Sequence, residues 1–115
     1  MDNMCTIYKT ADFIGKKWTL LILLELHKGK NQWKRFNELK RNIPNITSKL
    51  LSLRLKELES EDLIKSKKTE EMSEYSLNVS GQEFIKIIQD MKKWALKNKF
   101  KNKICENSVC KFCEI

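Results

Sequence analysis

The segment from Trp18 to Lys28 constrains this chain most. It reads Trp-Thr-Leu-Leu-Ile-Leu-Leu-Glu-Leu-His-Lys and is apolar on nearly every side of a helix. A helix of that kind belongs inside a core, with other elements around it. It is far shorter than the ~18 apolar residues a membrane span needs, so the rest of the chain must cover it. With 115 residues, 41% of them hydrophobic, the chain has material for one domain with a modest core. His27 and Lys28 suit the negative end of the helix, and Gly29 suits its stop.

The covering elements announce themselves by spacing. Ile7, Ala11 and Ile14 predict a first short helix over residues 6–15. A second short helix is expected from Asn37 to Asn42, with Phe36 and Leu39 inward. Pro44 ends it, because the residue before a proline avoids the helical region. Asn45 tolerates the left-handed turn that follows. Thr47 is a good N-cap for a helix running to about Ser60. Leu51, Leu55 and Leu58 mark its buried stripe, and the opposite face holds Lys49, Leu53 and Lys56 with Ser52 at its edge. After Asp62 the period changes. Residues 63–69 and 73–79 read as two short strands joined by a turn at Glu70-Glu71-Met72. Ser80-Gly81 starts a last long helix, whose stripe of Phe84, Ile87, Ile88, Met91, Trp94 and Ala95 is wider than one small domain can cover. A second copy of the chain would cover it.

The fold class is therefore mostly α with a small β-hairpin wing (α+β), a winged helix-turn-helix. Residues 1–98 form this domain, and residues 99–115 form a Lys- and Cys-rich tail. The pattern has a physical reason. The major groove of DNA admits one helix, which needs an apolar back against its scaffold and a front of short and basic side chains. Residues 47–60 supply both. A formal net charge of +8 favours an anionic partner, here double-stranded DNA. Ser48, Lys49 and Ser52 lie near the end of the helix that meets base edges. Lys56 shares that front, and Leu53 is apolar and outward, suited to a thymine methyl. Lys65, Lys67 and Lys68 on the wing suit phosphate. With one histidine and three glycines, and without a Ser/His/Asp set, a paired-carboxylate site or a Gly-rich phosphate loop, the chain does not read as an enzyme. No membrane partner is expected. The opening Met-Asp-Asn-Met-Cys lacks the basic-then-apolar pattern of a signal peptide, so the expected location is the cytoplasm.

These stretches resemble the HxlR-type winged-helix regulators over about residues 5–96. The resemblance is carried by Cys5, Gly15-Lys-Lys-Trp-Thr-Leu-Leu-Ile-Leu23, Arg35-Phe-Asn-Glu-Leu-Lys-Arg41 and Ile43-Pro-Asn-Ile-Thr-Ser-Lys-Leu-Leu51. It continues through Leu55-Lys-Glu-Leu-Glu59, Asp62-Leu-Ile64, Glu74-Tyr-Ser-Leu77, Gly81 and Trp94. The resemblance implies a homodimer through its terminal helices, and a cytoplasmic repressor or activator that reads a pseudo-palindromic operator. It also implies that Cys5 is a redox-sensing thiol. Three features depart from the family. Asn31-Gln32-Trp33 looks like an insertion, the wing is shorter with Glu70 and Glu71 near its tip, and the tail beyond Phe100 lies outside the shared pattern. An acidic tip repels phosphate.

The tail reads Cys105-x4-Cys110-x2-Cys113. In a reducing compartment such thiols point to metal binding or redox sensing rather than static disulfides. Three thiolates at this spacing can wrap one metal centre, with Cys5 as a fourth ligand. An iron–sulfur cluster and a structural zinc ion each take four. A thiol–disulfide switch without a cofactor is the other reading. On that basis the chain is a DNA-binding regulator whose affinity is set by its cysteines. The alternative is a thiol- or metal-handling redox protein that reuses the fold without specific DNA binding.

Overall fold

The computed structural model describes residues 5–112. In chain order the elements are α1 (Thr6–Ile14), α2 (Thr19–His27), β1 (Lys34–Arg35), α3 (Phe36–Asn42), α4 (Ser48–Ser60), β2 (Ile64–Lys68), β3 (Ser73–Leu77), α5 (Val79–Asn98) and α6 (Lys103–Asn107). A single 3-10 turn at Cys110–Phe112 follows. Every helix and strand expected from the spacing is present, in the expected order. Most boundaries move by a residue at most; the larger shift is at β3, which stops at Leu77, with α5 starting at Val79 behind Asn78.

Helix α2 is central, as its composition requires. Ile22 and Leu23 are fully buried and Thr19 and Leu26 nearly so. They pack with Leu39, Ile43 and Ile46 around α3, with Leu51, Leu55 and Leu58 of α4, and with Ile85 of α5. Burying one such leucine or isoleucine stabilises the fold by about 1.5–3 kcal/mol. The covering is incomplete on one side, where Leu21 is exposed and Leu20 and Leu24 are half-buried.

The wing belongs to a three-stranded antiparallel sheet, ordered β1-β3-β2, and not to a bare hairpin. Ile64 pairs with Leu77 and Ser66 with Tyr75, which sends Ile64, Tyr75 and Leu77 into the core. On the other edge Lys34 pairs with Tyr75. The tip is closed by Thr69, whose N–H donates to the Met72 carbonyl at 2.9 Å and whose hydroxyl accepts from the Met72 N–H at 3.2 Å.

Asp62 turns the chain from α4 into the sheet with a left-handed φ of 64°. The corner is tied to the start of α5: Asn78 Nδ2 donates to the Asp62 carboxylate at 3.0 Å, and the Ser80 hydroxyl donates to the Asp62 carbonyl at 2.7 Å. Gly81 is required here, because a Cβ at that position would collide with the Leu63 carbonyl oxygen. From this anchor α5 runs past α2. It turns Ile85 inward and packs Phe84 and Ile88 on the core, but leaves Ile87, Met91 and Trp94 exposed.

The tail folds back. Asn102 caps α6 by accepting from the N–H groups of Ile104 and Cys105. Lys92 of α5 donates to the Ser108 carbonyl at 2.8 Å. The Gly29 N–H, just past α2, donates to the Lys111 carbonyl. Among the described residues no helix is long and apolar enough to cross a membrane.

Candidate nucleic-acid interface

Helix α4 is entered through Asn45, which takes a left-handed φ of 68° as its position after Pro44 implied. Thr47 then caps it, its hydroxyl accepting from the Leu50 N–H at 3.1 Å. Leu51, Leu55 and Leu58 are each at most 1% exposed and fasten the helix to the core. The opposite side is open. Ser48, Lys49, Leu53 and Lys56 are exposed and Ser52 is half-buried, so all five share one outward front.

The flank of α4 is pinned. Glu57 accepts from Lys16 at 2.6 Å and from Arg54 at 2.7 Å. The Lys16 hydrogen bond, helped by the charge of Arg54, holds the Glu57 carboxyl below its ordinary value. Arg54 is thereby drawn to the scaffold and away from the outward front. The orientation of α4 is thus set by an apolar back and one ionic clamp to the loop after α1.

On the wing, Lys65, Lys67 and Lys68 are exposed. Lys65 and Lys67 alternate onto the same sheet face, and Trp33 meets them there. The Trp33 ring centroid lies 4.1 Å from Lys67 Nζ and 5.5 Å from Lys65 Nζ. Trp33 precedes β1, so its ring reaches across β3 to β2. Such cation–π contacts at exposed sites are worth about 0.5–1 kcal/mol, enough to bias two flexible lysines towards one orientation. Glu70 and Glu71 are exposed at the tip, which leaves the strand lysines, not the tip, as the wing's positive face.

A buried lysine supports this arrangement. Lys34 is 5% exposed, and its ammonium donates to the carbonyls of Leu26 at 3.2 Å, Asn31 at 3.1 Å and Lys28. It closes the C-terminal end of α2 and fixes the loop that carries Trp33. Burial pushes its pKa below the ordinary lysine value, against the raising influence of Glu38 and Glu25. Nearby, burial and the charges of Lys111 and Lys34 hold His27 below its ordinary 6.5. Sequence reasoning placed His27 at a helix end but did not single out Lys34 or the Trp33 stack. The only signal for either was an aromatic followed by a lysine in an otherwise polar loop.

The cysteines are distributed unevenly. Cys5 is a free, exposed thiol at the N-cap of α1. Cys105 and Cys110 are free and half-buried, and both line an apolar chamber of about 330 Å³ between α2, α5 and the tail. Cys113 lies outside the described residues. Among those residues no three His, Cys, Asp or Glu side chains converge as a metal site would require. Trp18 is half-buried and packs on the core, and Lys17 lies 4.8 Å over its ring.

Residues 13–103 match the HxlR-like helix-turn-helix family. The helix-turn-helix-type transcriptional regulator YdeP of Bacillus subtilis (strain 168) is 38% identical over 103 residues, which cover 87% of this chain and 77% of that protein. The reduced form of the transcriptional regulator YodB from B. subtilis is similar with a TM-score of 0.72 and 32% identity, covering 86% of this chain and 98% of that one. The redox regulator HypR in its oxidized form gives a TM-score of 0.70 and 33% identity, covering 84% and 99%.

Proposed function

The chain belongs to the HxlR family of helix-turn-helix transcriptional regulators, and from that premise we propose that it is a cytoplasmic homodimer that binds a pseudo-palindromic operator under the control of its thiols. The observation that carries the DNA-binding part is the division of α4. Its back is locked by three buried leucines, while Ser48, Lys49, Ser52, Leu53 and Lys56 stand free on the front. In this reading the first three meet base edges, Leu53 meets a thymine methyl, and Lys56 with Lys65, Lys67 and Lys68 neutralises phosphates. The exposed Ile87 and Trp94 of α5 are the surface that a second copy covers. Two-fold pairing then allows two copies of α4 to enter successive major grooves on one face of the duplex.

Control by thiols is supported by the similarity to a regulator solved as a redox protein in its oxidized form and by the free cysteines at both ends of the described chain. We favour direct thiol chemistry over an iron–sulfur cluster or zinc, on the similarity to that redox regulator and on the free thiols of Cys5, Cys105 and Cys110. The route from sensor to DNA runs through α5, which is packed against the tail at Lys92 and carries the dimer surface. The test is operator affinity, by fluorescence anisotropy, for reduced and for diamide-oxidised protein. Oxidation is expected to change affinity by about tenfold, within the 1–3 kcal/mol typical of coupled sites, and Cys→Ser replacement is expected to remove the response. Equal affinity in both states, at matched dimer concentration, refutes the control. Failure of either state to prefer operator over random duplex refutes the DNA-binding reading itself.

A further inference from the structure

Cys105 and Cys110 are placed for more than simple oxidation. Cys105 sits on α6 and Cys110 opens the following 3-10 turn, so the chain reverses between them. Both line the apolar chamber whose walls include Leu20, Leu24, Ile88, Met91 and Ala95. Both also line a second cleft of about 350 Å³, which the charged side chains of Asp90, Lys93 and Glu106 border. The two cysteines therefore share both walls, one chiefly apolar and one bordered by charged side chains. Their positions are held by the Asn102 cap on the Cys105 N–H, by Lys92 on the Ser108 carbonyl, and by Gly29 on the Lys111 carbonyl.

Two sulfurs so placed suit a soft centre that binds two thiolates and carries one apolar group. We propose that the chamber between α2, α5 and the folded-back tail is a dithiol site for a trivalent organoarsenical, which Cys105 and Cys110 capture together. Soft sulfur ligands select soft centres, and the apolar walls take the organic group. The chemistry balances without an oxidant. An arsenic oxide R–As=O reacts with two S–H groups, two As–S bonds form, and the oxygen leaves as water with both thiol protons. Arsenic stays trivalent. The water leaves to solvent through the open side while R lies against the apolar walls. As an effector site this rests on the reading that the tail governs operator binding, because a filled chamber wedges α2, which packs on α4, against α5.

The probe is phenylarsine oxide added to the intact reduced dimer. Mass spectrometry should show one phenylarsenic group per chain and thiol titration the loss of two thiols. The adduct should survive excess 2-mercaptoethanol and be reversed by 2,3-dimercaptopropanol. Cys105→Ser and Cys110→Ser should each abolish this stable capture, whereas Cys5→Ser and Cys113→Ser should keep it. Ala95→Phe, which fills the chamber from a half-buried helix position, should weaken capture of the phenyl compound about tenfold, a loss consistent with excluding one aromatic ring from apolar walls, and leave capture of inorganic arsenite unchanged. Capture that persists without Cys105 or Cys110, that needs Cys5 or Cys113, or that Ala95→Phe weakens equally for both arsenicals overturns the proposal. Capture with unchanged operator affinity upholds the site and refutes only tail control of DNA binding. An oxidant-responsive operator complex with no capture does the reverse.

Discussion

Lys34→Met isolates the role of the buried ammonium. In the parent, Lys34 donates to the carbonyls of Leu26, Lys28 and Asn31. The Leu26 carbonyl is the deepest of the three, and a buried acceptor that loses its partner costs ~1–3 kcal/mol. The other two lie nearer solvent, recover water, and add a few tenths of a kcal/mol each. Against these losses, methionine fills a similar volume and removes the cost of burying a charge, which the depressed pKa of Lys34 reflects. The balance is a net loss of about 2 kcal/mol, because among the described residues Lys34 is the side chain that donates to this helix end. At roughly 3–6 °C per kcal/mol for a domain of this size, Tm falls by about 6–12 °C. Urea unfolding followed by circular dichroism measures this, with an unchanged m-value to certify a native-like fold. A methionine variant as stable as the parent would overturn the assignment, since it would make the ammonium an incidental burial and not the closure of α2.

The same loop carries Trp33, so Lys67→Ala and Trp33→Ala should both weaken DNA binding without altering sequence preference. Removing one phosphate-binding ammonium from each protomer removes two from the dimer, which lowers the slope of log K against log salt by about 1.8, and Trp33→Ala should give part of that change. His27 supplies a pH dependence. Its folded pKa lies below the ordinary 6.5, so the unfolded chain binds the proton more readily. Its contribution to stability is complete above pH 6.5 and is lost as the pH falls through the folded value. His27→Gln should flatten that part of the stability–pH curve, and a variant curve parallel to the parent's would contradict the assignment. Trp94→Glu should convert the dimer to monomer in sedimentation velocity at micromolar concentration, because it places a charge on the exposed α5 stripe.

What the residues disclose in advance follows from the physics of each signal. The all-round apolar segment 18–28, the leucine stripe of α4, the Thr47 cap and the left-handed Asn45 are local and periodic, and each appears where its spacing puts it. The change of period after Asp62 likewise marks the sheet. Strand β1 was not legible, since two residues carry no alternation and its existence depends on pairing with Tyr75 and Glu74. The burial of Lys34 runs against the preference of its residue type and is set by a helix end assembled from elsewhere. The Trp33 stack depends on reach across a strand that sequence spacing does not reveal. In the tail, the Cys spacing suggested one shared site, but the lysine-rich composition concealed that the segment packs onto α2 and α5. It also gave no sign that Cys105 and Cys110 line one apolar groove.

The outward front of α4 is assigned to base sequence and the wing lysines to the backbone. Selection of bound duplexes from a random pool, run in parallel for the parent, Lys49→Ala, Ser52→Ala and Lys67→Ala, separates the two roles. The parent should select an inverted repeat. Lys49→Ala and Ser52→Ala should show relaxed preference at symmetric positions in both half-sites, amounting to about 1–3 kcal/mol for each base pair no longer read. Lys67→Ala should recover the parental sequence at lower affinity. An unaltered consensus from both α4 variants, or an altered one from Lys67→Ala, would contradict this division of labour.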